Sequence, residues 1–415
     1  MATTTRDRIL TLDIVRGVAV MGILAMNIYA FAGPEAMYFN PTAYGGDSGL
    51  DWFAWAFNFV IFDSKMRGLF SILFGASTLL VIERAKASGR APALAHYSRM
   101  IWLLAFGCAH FWFIWWGDIL ALYAITGLLL FLWRNNSVKV LRNWALGLLT
   151  VGFLFMGLQS FGLTMAEAGR LPPEQTQQAE KGLDKLEEYF GDDQRKVLED
   201  LDHYRSDYAT ITHQRFVEWR FKPFKNAIGM LPETLGLMLI GMALFRSGML
   251  TGEWSRERYR RWAIVAFGIG VPILSMLVWL QVASGYAPVT VFMSSMVLSM
   301  PADVLMAIGW AALIILLAKR NLQGGIAARV GAAGRMAFTN YLTTSIVMTT
   351  IFYGQGLGLY GNFSRSALYL FVLGMWALML LWSKPWLDRF HYGPLEWLWR
   401  SLSRFSVQPM IRKIG

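Results

Sequence analysis

The chain has 415 residues, of which 55% are hydrophobic, 15% are aromatic and only 16% are charged. This composition is too apolar for a soluble protein, and its apolar segments are spread too evenly for a single membrane anchor, so it indicates a polytopic membrane protein. The Lys and Arg residues behind the net charge of +11 cluster at the ends of apolar segments, which excludes the basic stripe of a nucleic-acid-binding protein.

The first predicted element is a membrane-spanning helix over residues 10–32, LTLDIVRGVAVMGILAMNIYAFA. About 20 residues at 1.5 Å per residue cross the hydrocarbon core, and no signal-peptide cleavage site follows, so we expect this span to be retained. Within it Asp13, Arg16 and Asn27 fall within about 60° of one another on the helix surface. Charge inside a bilayer is costly, so this polar wall is expected to face the interior of a helical bundle.

The whole chain is predicted to form an all-α bundle of about ten spans in the inner membrane of a bacterium. The predicted spans cover residues 10–32, 68–82, 100–116, 119–133, 144–165, 226–245, 262–283, 300–318, 336–353 and 368–382. Ten spans place both termini in the cytoplasm and every basic loop on the cytoplasmic side, as the positive-inside rule requires.

Three segments outside these spans have their own predicted character. The aromatic residues 50–62 are interpreted as an interfacial or re-entrant segment. Residues 168–222 combine mixed charge with helical spacing, which predicts two amphipathic helices in an extracytoplasmic insertion. Residues 384–415 are aromatic and basic, and they are predicted to lie along the cytoplasmic interface.

Several stretches resemble the YeiB family of bacterial membrane proteins, and the resemblance covers nearly the whole chain. They are LDIVRGVAVMGILAMN, FSILFG, GDILALYAITG, GRMAFTNYL and FHYGPLEWLWR. The first motif is also similar to that of transmembrane acyltransferases, which include lysosomal heparan-glucosaminide acetyltransferase and, more distantly, the bacterial acyltransferase-3 proteins. The resemblance implies transfer of an acyl group from cytoplasmic acyl-CoA, with acetyl-CoA as the expected donor, to an acceptor at or across the membrane.

One position departs from the acyltransferase pattern. In the acyltransferase-3 proteins ten residues separate a basic residue from a catalytic His, whereas here Arg16 is followed at that spacing by Asn27. The outer loop over residues 33–49 also contains no His in place of the one that the heparan enzyme uses. An amide cannot act as a general base, so the first span is expected to bind and position while proton transfer comes from elsewhere.

His110 and Asp118 are the predicted catalytic residues. His110 lies inside a predicted span, where a lone His is a candidate for proton transfer, and Asp118 is its candidate orienting partner. The two lie roughly 80° apart on a straight helix, so the WWG turn between them must bend for them to meet. The alternatives are an interhelical hydrogen bond for His110 and an N-cap of the fourth span for Asp118.

The candidate binding residues are arginines and buried polar side chains. Arg16, Arg335 and Arg400 are predicted to hold the phosphates of CoA, because guanidinium binds phosphate in a bidentate way. The alternatives are a helix-orienting charge pair for Arg16 and anchoring at the inner interface for the other two. The candidates for positioning the acyl group or acceptor are Asn27, Asp13, Asp63, Lys65 and Asn340. Interfacial anchoring is the alternative for Asp63 and Lys65, and helix bridging for Asn27.

Other function classes are partly excluded by the sequence. The chain has no P-loop, no GxSxG and no HExxH, and a single cysteine, Cys108, so no metal or internal disulfide is expected. A transporter or channel that uses the same intramembrane charges remains an alternative, and a scaffold acting through the insertion is a third, with the insertion as a homodimer contact. The expected partners are the lipid bilayer and a small-molecule, glycan or lipid acceptor, without nucleic acid.

Overall fold

The structure is a computed structural model that describes residues 5–170, 172–320 and 324–412. Helices account for 78% of it. Within these ranges the β-type pairing is limited to one antiparallel bridge between Phe390 and Ile411. The predicted all-α class is therefore confirmed.

The N-terminal half forms ten α-helices, and each predicted span up to residue 165 overlaps one of them, although the spans over 100–116 and 119–133 extend beyond the ends of their helices. They are α1 (Thr5–Ala32), α2 (Ala36–Phe39), α3 (Gly49–Ile61), α4 (Lys65–Ala87), α5 (Pro92–Phe113), α6 (Leu120–Leu130), α7 (Val138–Glu167), α8 (Pro173–Phe190), α9 (Gln194–Arg205) and α10 (Tyr208–His213). A 3₁₀ turn, Phe131–Trp133, extends α6, and a π-helical turn, Gln214–Glu218, continues α10.

The C-terminal half forms nine more helices in the described ranges. They are α11 (Lys222–Gly229), α12 (Leu231–Arg246), α13 (Arg256–Ala283), α14 (Pro288–Phe292), α15 (Met300–Ala318), α16 (Gly325–Arg335), α17 (Ala337–Phe352), α18 (Arg365–Arg389) and α19 (Pro394–Ser403). The predicted sixth span is divided between α11 and α12, which meet at a bend of 63°. Pro232 in the first turn of α12 has no N–H to continue the preceding helix, which accounts for the break.

Six helical segments in the described ranges are long and apolar enough to cross a membrane, and seven if the bent pair α11–α12 counts as one. They are α1 from Leu10, α3 with α4, α7, α13, α15 and α18. A polytopic helical membrane protein is therefore confirmed, whereas the count of ten spans is not. The predicted third, fourth and ninth spans correspond to α5, α6 and α17, which do not meet the length and hydropathy of a spanning helix on their own.

The spanning helices differ in how far the protein encloses them. In α1, 78% of the apolar 18-residue stretch is buried, against 11% in α7. The exposed face of α7 carries large apolar side chains, among them Leu146, Leu154, Phe155, Leu158 and Phe161. A contiguous apolar face of this size is typical of a lipid-facing surface, so α1 lies inside the bundle and α7 on its periphery.

Close helix crossings pass through glycine. A Cβ added at Gly334 of α16 would lie 1.9 Å from the carbonyl oxygen of Asp13 in α1, and one at Gly17 would lie 2.1 Å from that of Val330. A Cβ added at Gly75 of α4 would likewise clash with the backbone of α12, and one added at Gly241 of α12 would clash with the backbone of α4. Small residues that let helix backbones approach are typical of helix pairs in membranes.

The insertion packs against loops at one end of the bundle. It forms α8, α9 and α10, one helix more than predicted. Its Asp200 accepts a hydrogen bond from the backbone N–H of Glu35 at 3.1 Å, and Arg205 donates to the carbonyl oxygen of Tyr360 at 2.9 Å. Its Tyr208 hydroxyl donates to the carbonyl oxygen of Phe113, the last residue of α5. The insertion therefore covers the end of the bundle at which α5 stops.

Arg365, the first residue of α18, holds the loop over residues 33–48 in place. Its Nη2 donates to the carbonyl oxygens of Met37 and Asn40 at 2.6 and 3.0 Å, and its Nη1 donates to that of Gly46 at 2.7 Å. The side chain is fully buried. Backbone carbonyls, whose dipoles point at the guanidinium, compensate this buried cation without an ion pair to a carboxylate in the described residues.

Candidate functional site

A cavity of about 460 Å³ lies between α1, α4, α5, α6, α16, α17 and α19, and arginine side chains line it. These are Arg16, Arg84, Arg99, Arg335 and Arg400. A second cavity of about 470 Å³ shares Arg84, Arg99 and Arg400 with the first and adds two more, Arg90 and Arg404. The adjoining cavities, which we call the arginine cavities, therefore gather seven guanidinium groups from segments far apart in sequence.

The two acidic side chains that line the first cavity are both engaged. Asp13 pairs with Arg16 at 2.9 Å. Glu396 accepts hydrogen bonds from the backbone N–H groups of Phe338 and Thr339 at 2.8 and 3.0 Å and from the Thr339 hydroxyl, so it caps the N-terminus of α17. Since Arg16 alone among these arginines has a carboxylate partner within the described residues, the cavities carry a large excess of positive charge, which suits a ligand with several negative charges.

Local contacts hold the arginines in place without neutralising them. The Arg99 guanidinium lies over the ring of Trp399 at 3.9 Å, and that of Arg400 lies over Tyr392 at 4.5 Å. Arg335 donates to the carbonyl oxygen of His391 at 3.3 Å. Burial lowers the pKa of Arg400. A guanidinium stacked on a ring keeps its in-plane donors free, and these are the donors that bind phosphate oxygens.

Beside its polar lining residues, which include Ser77, Thr78 and His96, the first cavity has an apolar region. It is formed by Leu12, Phe70, Leu73, Phe74, Leu80, Val81, Met100, Leu103 and Leu120. The cavity thus combines a cationic region with an apolar one. A ligand that carries phosphates at one end and an uncharged arm at the other would match both.

His110 and Asp118 form a buried pair beside this cavity. Nδ1 of His110 lies 2.9 Å from Oδ1 of Asp118, and both side chains are almost fully enclosed. Oδ2 of Asp118 accepts the backbone N–H of Ala121 at 2.7 Å. The turn after α5 bends as the pairing requires, so Asp118 contacts His110 and caps α6 at the same time.

The geometry of this pair favours one tautomer of His110. A carboxylate only accepts hydrogen bonds, so Nδ1 carries the proton and Nε2 the lone pair of the neutral ring. Within the described residues Nε2 has no hydrogen-bond partner. A buried imidazole with an oriented Nδ1–H and an available Nε2 is the arrangement of a general base.

Tyr341 separates the pair from the first arginine cavity. Its ring lines the cavity and lies 5.3 Å from the His110 ring, and its hydroxyl donates to the carbonyl oxygen of Gly117 at 3.3 Å. Tyr341 also lines a void of about 10 Å³ with Asn27 and Trp115. Asn27 therefore lies on the far side of Tyr341 from the arginines, although Asp13 and Arg16 of the same helix line the cavity.

Three further candidates lie outside the lining of the arginine cavities. Asp63 accepts a hydrogen bond from the Tyr38 hydroxyl at 2.5 Å, and Lys65 pairs with Asp303 at 2.7 Å. The Asn340 amide donates to the carbonyl oxygen of Ala333 and accepts from Trp382 Nε1, both at 3.0 Å. These bonds join helices, and the substrate-positioning roles of these three residues stay predictions.

Several residues of the site were not singled out from sequence. Arg84, Arg90 and Arg99 belong to a basic segment that was attributed to the positive-inside rule, which explains such a cluster equally well. Tyr341 stands within the motif GRMAFTNYL, but nothing in a single sequence marks its ring as the partition beside His110. The described residues contain no group of three or more His, Cys, Asp or Glu side chains placed to hold a metal ion.

Comparison with known proteins identifies relatives along the full chain. The chain is 33% identical to "Uncharacterized protein YeiB" of Escherichia coli (strain K12), over 98% of the chain and 99% of that protein. The chain belongs to the YeiB family. It is also 32% identical to "Uncharacterized protein YxaH" of Bacillus subtilis (strain 168), over 99% of the chain and 98% of that protein. An "Uncharacterized 39.9 kDa protein in amylase 3'region" of Bacillus acidopullulyticus is 24% identical over 98% of the chain and 97% of that protein.

A family model described as "Protein of unknown function (DUF418)" matches residues 244–406, and no solved structure matches the chain. The matched region supplies Arg335, Tyr341 and Arg400 to the site. His110 and Arg99 come from the part of this YeiB-family chain before it. The candidate site is therefore assembled from both parts of the chain.

Proposed function

We propose that this protein is a membrane acyltransferase that moves an acyl group from acyl-CoA, with acetyl-CoA as the expected donor, to an acceptor at or across the membrane. The observation that carries the proposal is the position of the arginine cavities directly beside the buried His110–Asp118 pair. The resemblance of the first span to transmembrane acyltransferases supports the same reaction class.

The cavities match the chemistry of CoA. Its pyrophosphate and 3′-phosphate call for several guanidinium groups, which Arg84, Arg99 and Arg400 offer where the two cavities adjoin. Its uncharged pantetheine arm fits the apolar wall of the first cavity and leads toward Tyr341. A rotation of the Tyr341 side chain would bring a thioester carbonyl within reach of His110.

The proposed reaction needs a single base, which takes up one proton and releases it again within the cycle. His110 Nε2 takes the proton of the acceptor hydroxyl or amine while the acceptor oxygen or nitrogen forms a bond to the thioester carbonyl carbon. The C–S bond then breaks, and the imidazolium returns its proton to the CoA thiolate. Asp118 keeps Nδ1 protonated and stabilises the imidazolium, and Asn27 is the candidate donor to the carbonyl oxygen.

Binding of the donor is the first test. We expect Arg99→Gln to weaken binding of radiolabelled acetyl-CoA to the purified protein by about tenfold or more, since a charge-assisted hydrogen bond contributes about 1.5–3 kcal/mol. Arg260→Gln is the matched control, because Arg260 is exposed on α13 and lines neither cavity. Equal affinity in both variants would contradict the donor site.

Turnover is the second test. His110→Ala is expected to reduce acyl transfer by about 10²–10⁴-fold while leaving acetyl-CoA affinity unchanged, because the residue serves as base and not as donor contact. Asp118→Asn should also lower the rate, because the carboxylate that keeps Nδ1 of His110 protonated is lost. If His110→Ala turns over like the wild type, the catalytic assignment is wrong.

A transporter is the second candidate function. The observation that favours it is two ion pairs on α4, the buried Lys65–Asp303 at 2.7 Å and the partly buried Arg67–Glu233 at 2.8 Å, since intramembrane charges often line substrate or proton pathways. Accumulation of a substrate in proteoliposomes without any acyl donor would support this function and displace the acyltransferase.

A further inference from the structure

Arg215 is a buried cation without a counter-charge among the residues that the structure describes. It lies in the π-helical turn after α10, at 1% exposure. Its Nε donates to the carbonyl oxygen of Ile211 at 3.3 Å, while Nη1 and Nη2 have no hydrogen-bond partner within the described chain. An unpaired buried charge costs several kcal/mol, so this arrangement calls for a compensating group.

Other buried hydrogen-bond donors that have no partner among the described residues lie near Arg215. Ile211, whose carbonyl oxygen accepts from Arg215 Nε, belongs to the same buried side-chain cluster as Tyr204 and Tyr353, and burial lowers the pKa of Arg215. The Tyr353 side chain is fully buried, packs against Tyr204 with ring centroids 4.9 Å apart, and leaves its hydroxyl unpartnered. Nε1 of Trp115, which is 1% exposed and belongs to the same side-chain cluster, is also unpartnered among the described residues.

These three groups have one chemical property in common. Guanidinium and indole N–H groups only donate hydrogen bonds, and a phenol hydroxyl is able to donate. The two open N–H groups of Arg215 therefore call for acceptor oxygens and its charge calls for an anion, while Trp115 Nε1 and the Tyr353 hydroxyl, which lie beside each other, add further donor capacity. A phosphate or a carboxylate meets both conditions.

These hydrogen-bond donors extend from the insertion to the neighbourhood of His110, the proposed base. The Trp115 ring lies 6.3 Å from the His110 ring, centroid to centroid, and stacks on Phe31 at 3.8 Å. Trp115 also lines the void that contains Asn27. The arginine cavities lie on the other side of Tyr341, so this group of donors approaches His110 from the side opposite the proposed donor site.

We propose that Arg215, Tyr353 and Trp115 bind the anionic group, a phosphate or carboxylate, of the molecule that receives the acyl group. The identification of the bound molecule as the acyl acceptor rests on the proposed function, whereas the anion site itself does not depend on acyl transfer. It narrows the acceptor to molecules that carry a negative charge near the hydroxyl or amine to be acylated.

The test measures anion binding without any acyl donor. Full-length protein with Arg84→Gln and Arg99→Gln, which weaken phosphate binding in the arginine cavities, is placed in phosphatidylcholine nanodiscs and titrated with glycerol 1-phosphate. We expect saturable binding and a rise in Tm, and no effect of uncharged glycerol. Adding Arg215→Met should weaken binding at least tenfold, whereas adding Arg220→Met, at an exposed position five residues on, should leave it unchanged.

Stability separates a binding role from a folding role. Without ligand, Arg215→Met is expected to raise Tm, because it removes a buried charge that has no partner. If Arg215→Met lowers the ligand-free Tm, or binds glycerol 1-phosphate as well as the Arg220→Met control, the proposal is overturned. Tyr353→Phe, a variant that keeps the ring packing, should weaken binding severalfold, and an unchanged affinity would count against the site.

The same assay distinguishes a soluble anion from a lipid headgroup. If the natural ligand is a lipid, nanodiscs of phosphatidylglycerol should raise the Tm of the protein and compete with glycerol 1-phosphate, and Arg215→Met should abolish both effects. If it is soluble, the lipid exchange should leave glycerol 1-phosphate binding unchanged; either result supports the anion site. Because no acyl donor is present, failure of acetyl-CoA turnover leaves this result intact, and loss of the anion site leaves the donor-binding test intact.

Discussion

Arg365 and Arg215 are both buried arginines, yet their surroundings differ completely. Carbonyl oxygens of the loop over residues 33–48 accept from Arg365, so that side chain is compensated within the protein and has a structural role. Arg215 donates only through Nε to a carbonyl of its own helical segment. Burial alone therefore does not distinguish a structural arginine from a binding one; the fate of each N–H group does.

The role of Arg365 can be tested by a conservative substitution. Arg365→Lys is expected to lower the free energy of unfolding by about 3 kcal/mol, because an ammonium cannot reach the spread carbonyl oxygens that the planar guanidinium joins. Thermal unfolding of the purified protein in detergent measures the change. Arg220→Lys, at an exposed position, is the control, and a similar Tm in both variants would contradict the structural role.

At the scale of helices, the crossing of α1 and α16 fixes the first arginine cavity. Gly17 and Gly334 let the two backbones approach, and this approach places Arg335, at the end of α16, in the same cavity as Asp13 and Arg16. Helix packing and ligand site are therefore coupled. A change that separates the two helices should widen the cavity and weaken ligand binding along with stability.

Gly334→Ala tests this coupling. The added Cβ would lie 1.9 Å from the carbonyl oxygen of Asp13, so we expect the free energy of unfolding to fall by about 1–3 kcal/mol and acetyl-CoA affinity to fall with it. Gly374→Ala is the matched control, since a Cβ at that position of α18 meets nothing within 4 Å. The control should be neutral or stabilising by up to about 1 kcal/mol.

The sequence predicted the helices better than it predicted the site. Long apolar runs fix helix positions, and all ten predicted spans coincide with helices, apart from the break before α12 that Pro232 causes. The pairing of His110 with Asp118 was predicted on condition of a bend, which the turn after α5 provides. Arg99 and Arg215 were missed because their significance comes from what surrounds them in three dimensions, and sequence spacing does not contain that information.

At the scale of the whole molecule, the two groups of polar features lie at different ends of α5. Arg99, in its second turn, lines the arginine cavities, and Phe113, its last residue, contacts the insertion. The 14 residue steps from Arg99 to Phe113 span about 21 Å at 1.5 Å per residue. The bundle thus separates a cationic end from an end covered by a mixed-charge insertion.

The orientation of these two ends in the membrane is a prediction that cysteine labelling can test. In a Cys108→Ala background, Lys181→Cys in the insertion should react with a membrane-impermeant maleimide in intact cells. Lys86→Cys at the end of α4 should react only after permeabilisation, because basic loops stay in the cytoplasm. The reverse pattern would place the arginine cavities away from cytoplasmic CoA and contradict the proposed donor site.

The position of Tyr341 between the first arginine cavity and His110 has a kinetic consequence. In the proposed acyltransferase, a thioester seated among the arginines would be shielded from the imidazole until the ring moves, so little acyl-CoA should be hydrolysed when no acceptor is present. Transfer would then need donor and acceptor bound together on opposite sides of the ring. Steady-state kinetics should accordingly show intersecting lines of a ternary complex, and Tyr341→Ala should increase the hydrolytic leak more than it changes productive transfer.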